Sequence, residues 1–131
     1  MVRICVVYHS GFGHTKVQAE SVAEGARGVE GSEVTLVSVD DLSAPENNQY
    51  SPEWAPLSEA DAIIMGCPTY MGSMSAGMKQ FFEHASGAWF TGAWKDKIAA
   101  GFTNSASQSG DKLNTLVGIS IFAAQMMMVW V

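Results

Sequence analysis

Six consecutive residues, Ser10-Gly11-Phe12-Gly13-His14-Thr15, have the composition of an anion cradle. They stand between a β-branched run and an alanine-rich run, where a strand gives way to a helix. The first turn of a helix has unpaired N–H groups and about half a positive charge, so it attracts phosphate. Gly11 and Gly13 let the backbone wrap closely around oxygen atoms, and Ser10 and Thr15 add hydroxyl donors. Other phosphate motifs fit less well. A Walker loop, G-x-x-x-x-G-K-[ST], is absent. The dinucleotide pattern G-x-G-x-x-G finds Gly11 and Gly13, but Lys16 stands where its third glycine belongs. Asp40, at the end of the second strand, could still serve as a ribose-binding acid, so a bound dinucleotide is the alternative. A phosphatase loop would need a cysteine and an arginine here. The remaining alternative is a tight turn with no ligand. His14 is read either as a charged aid to phosphate or as an exposed loop residue.

Two further loops offer surfaces for a flat ring. Pro68-Thr69-Tyr70-Met71-Gly72 supplies an apolar wall in Tyr70 and Met71 and close backbone at Thr69 and Gly72; the alternative is an ordinary turn. Thr103-Asn104-Ser105-Ala106-Ser107-Gln108-Ser109-Gly110 has small side chains that leave its amides accessible. Amides at the pyrimidine edge of a flavin would stabilise its anionic reduced form; the alternative is a flexible polar loop. Trp89, Phe90 and Trp94 cluster between these two loops, before the fourth strand. Trp89 could overhang such a ring, but core or subunit contact is the preferred reading.

The elements that position these loops alternate. Val2–Tyr8 is continuously apolar and reads as a strand buried on both faces. Residues 16–29 follow as a helix, with Ala19, Val22, Ala23 and Ala26 on one face and Gly28 and Gly31 closing it. Strands are expected over 33–39 and 62–66, with 40–58 irregular because of Pro45, Asn47, Asn48, Pro52 and Pro56. A helix is expected over 74–85, a fourth strand over 97–102, a helix over 112–122 and a fifth strand from Met126 to Val131. This alternation predicts one α/β domain over 1–131 with a parallel sheet and right-handed crossovers. Ligands of such sheets sit beyond the carboxyl ends of the strands, where strand order reverses. No helix follows the last strand to cover the sheet face behind it, so the natural chain is expected to continue, or a partner subunit to cover the gap.

Composition narrows the class. A net charge of −6, with seven lysines and arginines spread singly, argues against nucleic acid. No apolar run is long enough for a membrane span, and no secretory signal opens the chain. Cys5 and Cys67 lie in apolar runs without a C-x-x-C, as buried thiols of a reducing, cytoplasmic compartment would. Charged residues are only 15% of the chain, which points to surface hidden in an oligomer or under further sequence. No metal site is expected.

Taken together, His9 to Thr15, Pro68 to Ser75 and Gly87-Ala88-Trp89, in this order and spacing, resemble the flavodoxin-like NAD(P)H:quinone oxidoreductase and FMN reductase family of the tryptophan-repressor-binding-protein type. The resemblance covers nearly the whole chain. It implies a doubly wound five-stranded sheet of order 2-1-3-4-5, lacking its C-terminal helix. It implies FMN as cofactor, with its phosphate on Ser10, Gly11, Phe12, Gly13, His14 and Thr15. The ring edge would lie on Pro68, Thr69, Tyr70, Met71 and Gly72, and the pyrimidine side on Thr103 and Asn104 to Ser109. NAD(P)H would be the donor, touching Phe12, with a quinone acceptor near Trp89 and Met126, in a homodimer or homotetramer. Two features depart from the family: the third loop is poorer in glycine, and Met126-Met127 stand where a His-Gly pair is usual. Methionine cannot deliver a proton to an acceptor. The alternative function is a one-electron carrier of flavodoxin type serving protein partners, which the acidic charge favours; Phe12 and Trp89 favour the enzyme.

Overall fold

The computed structural model describes all residues, Met1–Val131. Six strands form one sheet: β1 (Val2–Tyr8), β2 (Ser32–Ser38), β3 (Ala62–Tyr70), β4 (Ser73–Met74), β5 (Ile98–Asn104) and β6 (Val129–Trp130). Its order is β2-β1-β3-β5-β6, with β4 paired to β3 off this path. All pairings along the path are parallel, and β3 with β4 is antiparallel. The five expected strands therefore appear in the expected order, with β4 added as a short hairpin arm. Helices α1 (His14–Arg27), α2 (Ala55–Glu59), α3 (Ala76–His84), α4 (Ser86–Thr91) and α5 (Leu113–Gln125) complete the chain.

Alternation along β1 divides the core between the two sheet faces. Cys5 and Val7 face α3 and α5 in a cluster of 22 buried residues. Val6 and Tyr8 face the other way, against Ala19 and Ala23 of α1, in a cluster of four. The larger face is closed by aromatic contacts. Phe82 and Phe122 stack with centroids 3.8 Å apart, and Trp54 stacks on Phe81 at 5.6 Å. The smaller face is covered less completely. Ile98 and Val129, paired in register, alternate away from buried Ala99 and remain 40% and 48% exposed. Cys5 and Cys67 are free, buried thiols, and burial pushes that of Cys5 up to about 12 and that of Cys67 upward as well.

Three expectations are corrected. The stretch 40–58 is not irregular throughout: it holds 3₁₀ turns at Val39–Asp41 and Pro52–Trp54 and the start of α2. Pro52 and Pro56 act as helix starters, since proline's missing N–H costs nothing in a first turn. Pro68, Thr69 and Tyr70 are strand rather than loop, because β3 runs on to pair with β5 through Asn104 and with β4. Met126 does not begin a strand. It caps α5, and Met127 turns the chain with φ 62° before the short β6.

Within the connector, the Ser43 hydroxyl donates to Glu53 Oε1 at 2.6 Å and the Ser43 amide donates at 3.3 Å. The Ser43 hydroxyl is the largest reason that the Glu53 carboxyl falls from 4.5 to about 2. A carboxyl depressed in the folded state stabilises it above the unfolded value and loses that effect as pH falls through the folded one. The urea midpoint of the wild type should therefore exceed that of Glu53→Gln at pH 6. The gap should close between pH 4.5 and about 2, and a gap unchanged across that window would refute the assignment.

Candidate functional site

The switch point lies between β1 and β3, because the chain leaves β1 for β2 on one side and returns to β3 on the other. The loops that follow β1, β3 and β5 surround a cleft of about 650 Å³ at this end of the sheet. That size suits a cofactor-sized ligand.

The first loop places Gly11, Phe12, His14 and Thr15 on the cleft. Gly13 takes φ 95°, a left-handed conformation that glycine adopts without strain, and starts α1 without a side-chain cap of its own. Ser10 supplies the cap instead: its Oγ accepts from the Gly13 amide at 3.0 Å and from the Lys16 amide at 3.3 Å. The amides of Gly11, Phe12, His14 and Thr15 donate to no atom of the chain. Four free donors at a helix start could hold an anion, and no lysine or arginine lines the cleft beside them.

The second loop contributes Pro68, Thr69 and Tyr70. Tyr70 and Phe12 meet edge to face at 6.3 Å and 73°, giving an aromatic border that is 38% exposed at Tyr70 and 83% at Phe12. A Cβ at Gly11 would lie 2.2 Å from the Tyr70 hydroxyl, so the Tyr70 ring would have to shift to admit it. Met71 and Gly72, with φ 49° and 77°, make the two-residue turn between β3 and β4 that needs positive φ at both positions. Methionine in this conformation is strained, and its side chain is fully exposed at the hairpin tip, outside the cleft lining. Gly72 turns toward α5, where its carbonyl accepts from Asn114 Nδ2 at 3.0 Å.

Asn104, Ser105 and Ala106 of the third loop line the cleft. Thr103 points into the fold: its Oγ1 donates to the Cys67 carbonyl at 2.7 Å and meets Thr69 Oγ1 at 2.8 Å. Thr69 Oγ1 in turn lies 2.8 Å from that of buried Thr115, so these hydroxyls join β3, β5 and α5 behind the cleft wall. Ser107, Gln108 and Ser109 are exposed and lie outside the lining. The loop folds back on itself, with Ser105 Oγ donating to Asp111 Oδ1 at 3.0 Å and Lys112 Nζ donating to the Ser107 carbonyl.

The proposed donor and acceptor residues separate. Phe12 borders the cleft, whereas Trp89 and Met126 line a different groove of about 390 Å³ between α3, α4 and α5. Met126 is only 2% exposed because the end of α5 draws it into the larger core. Trp94 is core, at 2% exposed, while Trp89 and Phe90 remain at the surface. Two cleft residues, Val17 and Gln18, were not foreseen. Their signal was helical geometry: Gln18 is one turn beyond Thr15 and shares its face.

A family profile described as NADPH-dependent FMN reductase matches residues 6–131. A flavodoxin of Pseudomonas aeruginosa, FldP, is 41% identical over the whole chain. An NAD(P)H dehydrogenase (quinone) of Chromohalobacter salexigens is 35% identical over 130 residues, covering 91% of the chain. The chain spans 66% and 65% of these two relatives' lengths. A crystal structure of a flavodoxin, WrbA-like protein from Agrobacterium tumefaciens superposes with TM-score 0.85 at 46% identity, covering 100% of the chain and 77% of that one. The free amides, the switch-point cleft and the matched profile agree: the chain belongs to the NADPH-dependent FMN reductase family.

Proposed function

We propose that the chain binds FMN in the switch-point cleft and serves an oxidoreductase that takes electrons from NAD(P)H and passes them to a quinone-like acceptor. The observation that carries this reading is the set of free amides at Gly11, Phe12, His14 and Thr15. A phosphate monoester satisfies them, and nothing in the chain does. The flat cofactor would lie between the Phe12–Tyr70 border and the backbone of Asn104 to Ala106, with Pro68 and Thr69 as its floor. Bound there, FMN supplies hydride and electron chemistry that no side chain of the protein can supply. The protein's share is to hold the phosphate, orient the ring and keep one face open beside Phe12, where a donor or acceptor can enter.

The acceptor reading rests on the quinone named for the Chromohalobacter salexigens relative. The second reading, a one-electron carrier, draws on the name of the Pseudomonas aeruginosa relative and on the net charge of −6. Self-association fits the apolar surface carried by Phe90, Leu113 and Ile121, which are 81%, 72% and 63% exposed. A cytoplasmic location fits the free thiols; no helix is long and apolar enough to cross a membrane.

The test is to purify the protein, add FMN, record its visible spectrum and follow NADPH oxidation with and without benzoquinone. Quinone-dependent oxidation by the flavin-loaded protein is the expected result. A stable semiquinone without NADPH turnover would favour the carrier, and no flavin binding would remove both readings.

A further inference from the structure

Asn104 sits where the resemblance places the pyrimidine edge of FMN, yet its side chain is committed to the opposite end of the cleft. Its Nδ2 donates to Gln18 Oε1 at 2.8 Å and to Thr15 Oγ1 at 3.0 Å. Gln18 Nε2 donates to the Thr103 carbonyl at 3.1 Å. These bonds run in one direction. A carbonyl can only accept, so the Thr103 carbonyl requires the Gln18 amide nitrogen to face it. The Gln18 oxygen then faces Asn104 and requires its nitrogen there. That nitrogen's second hydrogen is given to Thr15. One backbone carbonyl thus fixes both amide orientations, which a lone amide leaves open.

The end of this chain bears on the anion site. Thr15 is 2% exposed and stands in the first turn of α1, beside the free amides. Its oxygen already receives a hydrogen from Asn104, so its own hydrogen is left to donate. The nearest acceptor in the network, Asn104 Oδ1, is 3.5 Å away, beyond the usual reach of a hydroxyl donor. We infer that Asn104 and Gln18 are positioning residues that turn the Thr15 hydroxyl into a dedicated donor for the cofactor's phosphate, and so set the preference for FMN over unphosphorylated flavin. This rests on FMN occupying the cleft. It assigns Asn104 to the phosphate end although it belongs to the third loop.

The experiment measures dissociation constants of FMN and riboflavin by fluorescence quenching for wild type, Asn104→Leu, Thr15→Val and the double variant. Asn104→Leu should weaken FMN about tenfold, the size expected for one lost hydrogen bond to a charged group, and riboflavin less than about threefold. Because Asn104 acts through Thr15, the double variant should bind FMN no more weakly than Thr15→Val alone. Gln18→Leu frees the Asn104 amide to turn over and should reproduce the FMN-selective loss in smaller measure; it decides the matter if Asn104→Leu does not fold. Equal losses for both flavins, or losses that add in the double variant, would overturn the inference and return Asn104 to the ring. A wild type that binds neither flavin would instead refute the parent reading of the cleft, and this inference with it.

Discussion

Ser10→Ala should weaken FMN binding by about 10- to 100-fold while changing riboflavin binding less than about threefold, the equivalent of roughly 1.5–3 kcal/mol confined to the phosphate. Gly13 opens α1 but has no side chain to cap it. Ser10 reaches across the loop and accepts from the Gly13 and Lys16 amides, so one oxygen holds the loop's curvature from both ends. With both lone pairs occupied, its hydrogen is free to donate toward an anion. Alanine removes that donor and the brace together. The cap is worth about 1 kcal/mol, and the free amides of Gly11, Phe12, His14 and Thr15 lose their convergence when it goes. In the proposed pose the ring half of the flavin would lie against Pro68 to Tyr70 and Asn104 to Ala106, to which Ser10 makes no hydrogen bond. Fluorescence titration with both flavins reads the difference. Parallel losses would mean that Ser10 supports the whole fold, and unchanged FMN affinity would mean that the phosphate sits elsewhere.

The geometry of the first loop was legible in the sequence because it is local. Backbone amides, glycines and a capping serine lie within six consecutive residues, and a strand-to-helix transition exposes them whatever the rest of the chain does. The second loop was legible by composition but not by conformation. Pro68 to Tyr70 look like a turn, yet pairing with β5 and β4 draws them into the sheet, a long-range effect that no local pattern records. Thr103 and Asn104 show the same limit in side chains. Small and polar, they look available to a ligand, but their partners are Cys67, Thr69, Thr15 and Gln18, up to 89 positions away. Met126 failed for a different reason. Three methionines in a row fit the interior of a helix end, a turn or a strand equally well, and only the position of Phe122 under Phe82 carries α5 far enough to claim the first of them.

The connector between β2 and β3 hid a fully buried aromatic anchor, and Trp54→Ala should expose its contribution to stability. Trp54 is 2% exposed, stacks on Phe81 with an interplanar angle of 19°, and meets Tyr50 at 4.7 Å. Its Nε1 donates to the Ser43 carbonyl at 2.9 Å, which ties the start of the connector to its end. Tyr50 extends the anchor, donating to the His84 carbonyl at 2.9 Å and accepting from the Ala88 amide at 3.0 Å, so α3 and α4 hang on the same residues. Deleting a fully buried indole costs about 3–5 kcal/mol, against a total of roughly 5–15 kcal/mol for a domain. The melting temperature should fall by roughly 10–20 °C. Trp54→Phe keeps the stack, loses the bond to Ser43 and should cost about 1–3 kcal/mol. The cleft lies at the carboxyl ends of β1, β3 and β5 and takes no lining from Trp54, so FMN affinity measured well below the transition should hold within about threefold. A melting shift of only a few degrees would show that the connector floats free of the core. A large loss of FMN affinity in the folded variant would show that the connector and the phosphate loop form one cooperative unit.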